Sequence, residues 1–129
     1  MLVPPAEIVG RVKATISECT VNDVHECLNS DTLVIDVREP AEYQRAHLPG
    51  AVHVPRGMLE FEIHKLVERS CGNQNIALED QPLVVYCGTG GRSALAAASL
   101  QSLGYKNVRS MAGGVAAWTQ AEFSLAQPS

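Results

Sequence analysis

Two segments constrain the possible folds of this chain most. Leu33-Val34-Ile35-Asp36-Val37 and Leu83-Val84-Val85-Tyr86 run almost continuously apolar, without alternation, and are rich in β-branched residues. A strand with one face in water alternates apolar and polar side chains, whereas a continuous run belongs to a strand covered on both faces. A parallel sheet enclosed between helices provides that cover, and the rest of the chain supplies the helices.

Residues 6–18 place Ile8, Val12 and Ile16 four apart with Val9 beside them, the stripe of an amphipathic helix. Residues 18–20 read as a short edge strand. Thr20 then caps a second helix, with Asp23 three residues on and Val21, Val24 and Leu28 at helical spacing. Pro40 suits the first turn of a helix over 40–46, Pro49-Gly50 makes a turn, and 51–54 form a brief strand. A helix over 58–68 gathers Leu59, Ile63, Leu66 and Val67 on one face. The polar stretch 71–81 reads as a surface loop with Cys71 as an exposed thiol. An Ala-rich helix over 93–103 stops at Gly104, a strand covers 107–111, and Gly113-Gly114 leads into a last helix carrying Val115 and Trp118. The expected architecture is α/β, a central parallel sheet of about five strands with helices on both faces. It forms one domain over residues 1–129, with its core in 6–123 and a frayed tail at 124–129.

Charge and cysteine usage narrow the function classes. Fourteen acidic against ten basic residues give a net charge of −4, and no Lys/Arg cluster interrupts the acidic balance. Nucleic acid and anionic membrane surfaces are therefore not expected partners. No stretch approaches the roughly 18 apolar residues of a membrane span, and the opening residues do not make a signal sequence, so a cytoplasmic location is expected. Cys19, Cys27, Cys71 and Cys87 show neither CxxC spacing nor finger-like spacing with the histidines, so neither a disulfide scaffold nor a zinc site is expected.

Ligands of parallel sheets sit beyond the carboxyl ends of the strands. That position is held here by Cys87-Gly88-Thr89-Gly90-Gly91-Arg92-Ser93, between a buried strand and a helix. Glycines at 88, 90 and 91 allow positive φ and turn the backbone N–H groups inward into a cradle for an anion or an anionic sulfur. The helix N-terminus and the Arg92 charge should lower the Cys87 pKa and favour the reactive thiolate. A small buried hydrophobe at a strand end would account for the cysteine but not for the glycines. Neither a Walker loop nor a G-x-G-x-x-G fingerprint is present. Arg92 lies five positions after Cys87, one short of the C-x5-R arrangement of cysteine-dependent phosphatases. The shorter loop makes a smaller cradle, better matched to one extra sulfur atom than to a phosphoryl group.

Four separated blocks resemble the rhodanese family of single-domain thiosulfate sulfurtransferases. They are Asp36-Val37-Arg38-Glu39 with Glu42-Tyr43, His47-Leu48-Pro49-Gly50-Ala51, Val85-Tyr86-Cys87 with the loop to Ser93, and Gly113-Gly114 with Trp118. Ala46 stands where the family more often has Gly. The resemblance implies a rhodanese-like domain in which thiolate Cys87 takes sulfane sulfur from thiosulfate or a persulfide and passes it to a thiol or cyanide acceptor. A sulfur-accepting protein is a further implied partner. The N–H groups of Gly88, Thr89, Gly90, Gly91, Arg92 and Ser93 would hold the persulfide anion and the departing charge. No metal or organic cofactor is implied. Asp36, Arg38 and His47 are expected to support the loop, Arg38 by pairing with Glu39 or Glu42. The loop carries no lysine or second arginine, so Arg92 alone is available to a dianionic donor, and it either binds that donor or ties the loop to a carboxylate. Two other functions compete: a persulfide carrier with little turnover of free thiosulfate, and a phosphatase or arsenate reductase, which the short loop disfavours.

Overall fold

The computed structural model describes residues 1–71 and 75–128. Five strands, β1 (Ser17–Cys19), β2 (Leu33–Asp36), β3 (Val52–His53), β4 (Leu83–Tyr86) and β5 (Val108–Met111), form one sheet in the order β1-β5-β4-β2-β3. Every strand pair is parallel. The two apolar runs lie beside each other at its centre, Ile35 opposite Val85 and Asp36 opposite Tyr86.

Their lack of alternation follows from two cores rather than one. Leu83 and Val85 face the side that packs on α4 (Leu59–Cys71) and α5 (Gly91–Ser102), while Val84 and Tyr86 face the side that packs on α2 (Val21–Cys27) and α6 (Gly114–Gln120). A period of two residues thus puts Cys87 on the α4/α5 side, in the cluster with Val85, Ala96 and Ala97. Helices α1 (Pro5–Lys13) and α3 (Pro40–Arg45) complete the set. Thr20 and Asp23 cap α2 reciprocally, as their spacing predicts.

Several expectations need correction. Helix α1 ends at Lys13, not at residue 18, because Ser17–Cys19 is drawn into the sheet against β5. It buries no residue, leaves Ile8 37% exposed, and lies on α5, with Val9 facing Gly91. Cys71 is not an exposed loop thiol: α4 runs on to include it and buries it among Leu66, Val67 and Tyr105. Within the expected loop 71–81, Leu78–Asp80 form a single 3-10 turn, and residues 72–74 lie outside the described residues. The tail is not frayed over its described part. Ala126 and His47 exchange backbone hydrogen bonds of 2.7 and 2.9 Å, and Leu125 packs on the Trp118 cluster. Ser129 lies outside the described residues.

Candidate active site

Strand β4 ends at Tyr86 and α5 begins at Gly91, so residues 87–90 turn the chain from strand to helix. Gly90 makes the turn at φ +109°, a conformation an L side chain resists. The turn folds back over the Cys87 side chain, which is 1% exposed. Its Sγ accepts from the N–H of Gly90 at 3.1 Å and from the N–H of Ser93 at 3.4 Å, and lies 3.6 Å from the Ser93 hydroxyl. Burial would raise the Cys87 pKa, but the Ser93 hydroxyl and the N–H groups of Ser93, Gly90 and Thr89 outweigh it and bring it below the ordinary thiol value. The expected lowering is present, and its main sources are hydrogen bonds rather than the Arg92 charge.

Ser93 has a fully buried partner that the sequence reading missed: Ser110, on β5, lies 2.9 Å from its hydroxyl. In the neutral state the thiol donates to Ser93 Oγ, which donates in turn to the Gly90 carbonyl at 3.3 Å. When the thiol ionises, the Ser93 proton can rotate to the sulfur while Ser110 donates to Ser93. Both states are thereby satisfied without moving a heavy atom. In Val108-Arg109-Ser110-Met111, alternation would put Ser110 on the same face as the apolar Val108, which was the available signal for it.

The loop is held from below by α6. The N–H groups of Val115 and Ala116 donate to the carbonyls of Cys87 and Gly88 at 2.9 and 3.0 Å. Gly114, at φ +57°, has no room for a side chain, because a Cβ there would strike those same two carbonyls. Gly114 is thus explained by the backbone of the cysteine loop pressing against it, and Gly113 by its φ of +79° and the Ala117 side chain of α6, which a Cβ there would strike.

The remaining site residues separate into two groups. Asp36 and Arg38 are buried and pair with each other, two Arg38 nitrogens meeting Asp36 Oδ2 at 3.1 and 2.8 Å. Tyr86 donates its hydroxyl to the same carboxylate at 2.7 Å and accepts the Leu48 N–H at 3.1 Å, so burial and Asp36 push its pKa well up. Arg38 also donates to the Ala46 carbonyl. The expected pairing of Arg38 with Glu39 or Glu42 is therefore corrected: a buried guanidinium takes the buried carboxylate, which leaves neither charge uncompensated. His47 stacks on Tyr43 with centroids 3.9 Å apart and places Nδ1 3.1 Å from the Tyr43 carbonyl. That carbonyl can only accept, so Nδ1 carries the proton and His47 braces a turn. Neither group is brought to the Cys87 sulfur.

Arg92 is paired with a carboxylate, one of the two arrangements the sequence allowed. Its Nη1 and Nη2 donate to Glu42 Oε1 and Oε2 at 2.7 and 3.1 Å, so the guanidinium ties the loop to α3. Arg92 holds the Glu42 carboxyl down to about 2, with burial opposing it. Thr89 is exposed at the loop's tip, Gly88 and Gly91 are half-buried, and Arg92 Nη2 lies 3.2 Å from where a Gly88 Cβ would stand. The bare backbone of Gly88 thus lets the guanidinium lie against the loop.

A family model for the rhodanese-like domain matches residues 20–121. The chain belongs to the rhodanese-like domain family. Among curated relatives it is 35% identical over 97 residues to the putative sulfur carrier protein YrkF of Bacillus subtilis, covering 75% of this chain but only 44% of that protein. It is 30% identical over 112 residues to the thiosulfate sulfurtransferase GlpE of Haemophilus influenzae, covering 86% of this chain and 95% of GlpE. Among solved structures, a protein of unknown function from Rhodopseudomonas palustris, described as a possible tyrosine phosphatase, superposes with a TM-score of 0.80 at 33% identity, covering 98% of this rhodanese-like chain and 96% of that one. Among the described residues, no helix of this rhodanese-like chain is long and apolar enough to cross a membrane.

Proposed function

We propose that this rhodanese-like protein is a sulfurtransferase in which Cys87 is the nucleophile. The thiolate attacks the outer sulfur of a donor such as thiosulfate or a persulfide, the donor's sulfur–sulfur bond breaks, and its electron pair leaves on sulfite or on the thiolate of the donor. Cys87 then carries the sulfur as a persulfide anion until a thiol or cyanide attacks it. The observation that carries this reading is the environment of Sγ, where two backbone N–H groups and a hydroxyl support a negative sulfur inside a buried cradle. Gly88, Thr89, Gly90, Gly91, Arg92 and Ser93 form that cradle. Asp36, Arg38 and His47 support the segment that packs beside it. The proposal includes a reducing, cytoplasmic setting, with which four free thiols are compatible.

Two observations favour a second reading, a persulfide carrier serving a partner protein. The loop's own cation is already occupied by Glu42, and the relative YrkF is described as a putative sulfur carrier. Steady-state transfer from thiosulfate and from inorganic polysulfide to cyanide divides the readings. An enzyme gives parallel double-reciprocal lines and loses turnover in Cys87→Ser. A carrier forms the persulfide but turns over slowly. Turnover that survives Cys87→Ser, or appreciable hydrolysis of an aryl phosphate, contradicts both.

A further inference from the structure

Glu42 has no part in the sulfur chemistry described above, yet it takes both terminal nitrogens of the only cationic side chain in the cysteine loop. It is held in place for that contact: Glu42 Oε1 also accepts the Glu39 N–H at 3.0 Å at the start of α3. Arg92 in turn lies against Gly88 and close enough to Cys87 for a thiolate there to favour its charged form, after the larger effect of Glu42. The guanidinium therefore links the Glu42 carboxylate to the backbone of the cysteine loop at Gly88. The neighbouring Arg38 is likewise neutralised, by Asp36.

A donor that reaches Cys87 must place its outer sulfur at Sγ and its leaving group outside the loop, within electrostatic range of the part-exposed Arg92 and Glu42 side chains. A dianionic leaving group would be attracted by Arg92 and repelled by Glu42. Each unit of donor charge feels that carboxylate, so the penalty grows with the donor's charge. We propose that Glu42 is a positioning residue that sets donor selectivity: by holding Arg92 it turns the site against dianionic donors and toward donors of lower charge. The inference rests on the sulfurtransferase reading and names its substrate class.

Two donors with the same outer sulfur and different charge test it. Thiosulfate, a dianion, gives the Cys87 persulfide and sulfite; methanethiosulfonate, a monoanion, gives the same persulfide and methanesulfinate. In each case one sulfur–sulfur bond breaks and one forms. Persulfide formation is measured with both donors in the unaltered protein, in Glu42→Gln, and in Glu42→Gln combined with Arg92→Gln. Gln keeps an amide oxygen for the α3 cap. Glu42→Gln should raise kcat/KM for thiosulfate about fivefold to tenfold more than for methanethiosulfonate, chiefly through KM, and the double variant should lose that preference. Equal change with both donors, or a selective loss of thiosulfate, overturns the inference while leaving the sulfurtransferase reading intact. If neither donor loads sulfur onto Cys87 in the unaltered protein or in either variant, both readings fall.

Discussion

The Cys87 sulfur is stabilised by short-range, directional contacts. The Gly90 and Ser93 N–H groups are fixed by the turn, so only the Ser93 hydroxyl can be removed without redrawing the backbone. Because the folded pKa of Cys87 is depressed, the thiolate is present at lower pH than in an ordinary cysteine, and persulfide formation should rise with pH through that lowered value. Ser93→Ala removes one of the lowering contacts, so the rising limb should move to higher pH. The rate at neutral pH should then fall about tenfold, the worth of one hydrogen bond to a charged group. The pH profile of persulfide formation checks this, and an unshifted limb would show that the hydroxyl does not face the sulfur. The other cysteines differ in kind. Burial first, and nearby carboxylates after it, push the Cys19 thiol up to about 11. Burial and Asp31 likewise raise Cys71, which packs in the core beneath α4.

Among the elements, α6 matters beyond the core it covers. Its first turn donates to the Cys87 and Gly88 carbonyls, so the loop is suspended between its own helix and a second one. Gly114→Ala would place a Cβ against those carbonyls and ask an alanine to hold φ +57°. The expected cost is about 2–4 kcal/mol, with a Tm lower by about 10 °C and a loss of persulfide formation larger than the loss of fold at 25 °C. Thermal unfolding followed by circular dichroism, with the loading rate measured on the folded protein, separates the two effects. How much of this was legible in the sequence depended on range. Thr20 and Asp23, or Cys87 and the glycines after it, are neighbours whose chemistry is complete within a few residues. Glu42 and Arg92 are 50 residues apart, as are Asp36 and Tyr86, and only the β2–β4 pairing brings each couple together. Ser110 reaches Ser93 because β5 lies next to β4. The length of α4 was missed because Cys71 is apolar in burial but stands among polar neighbours in sequence.

At the scale of the molecule, the sheet order puts β4 in the middle, and its flanking strands β2 and β5 each deliver a support to the cysteine loop. β2 leads to the Asp36–Arg38 pair under Tyr86, and β5 carries Ser110 and leads to the Gly113-Gly114 turn. The C-terminal tail closes the assembly from outside, with the Ser124 carbonyl accepting the Trp118 indole N–H at 3.0 Å and Ala126 bridging His47. Deleting residues 124–129 should cost about 2 kcal/mol, from the lost hydrogen bonds and the exposure of Leu125 and its neighbours. A chemical-denaturation midpoint unchanged by the deletion would show that this strap is not part of the fold. The central claim is that Cys87 accepts a sulfur atom, and intact mass after incubation of the reduced protein with thiosulfate or inorganic polysulfide tests it most directly. The protein should gain one sulfur atom, mapped by peptide to Cys87 and absent from Cys87→Ser. No gain from either donor, or a gain that persists in Cys87→Ser, would contradict the claim.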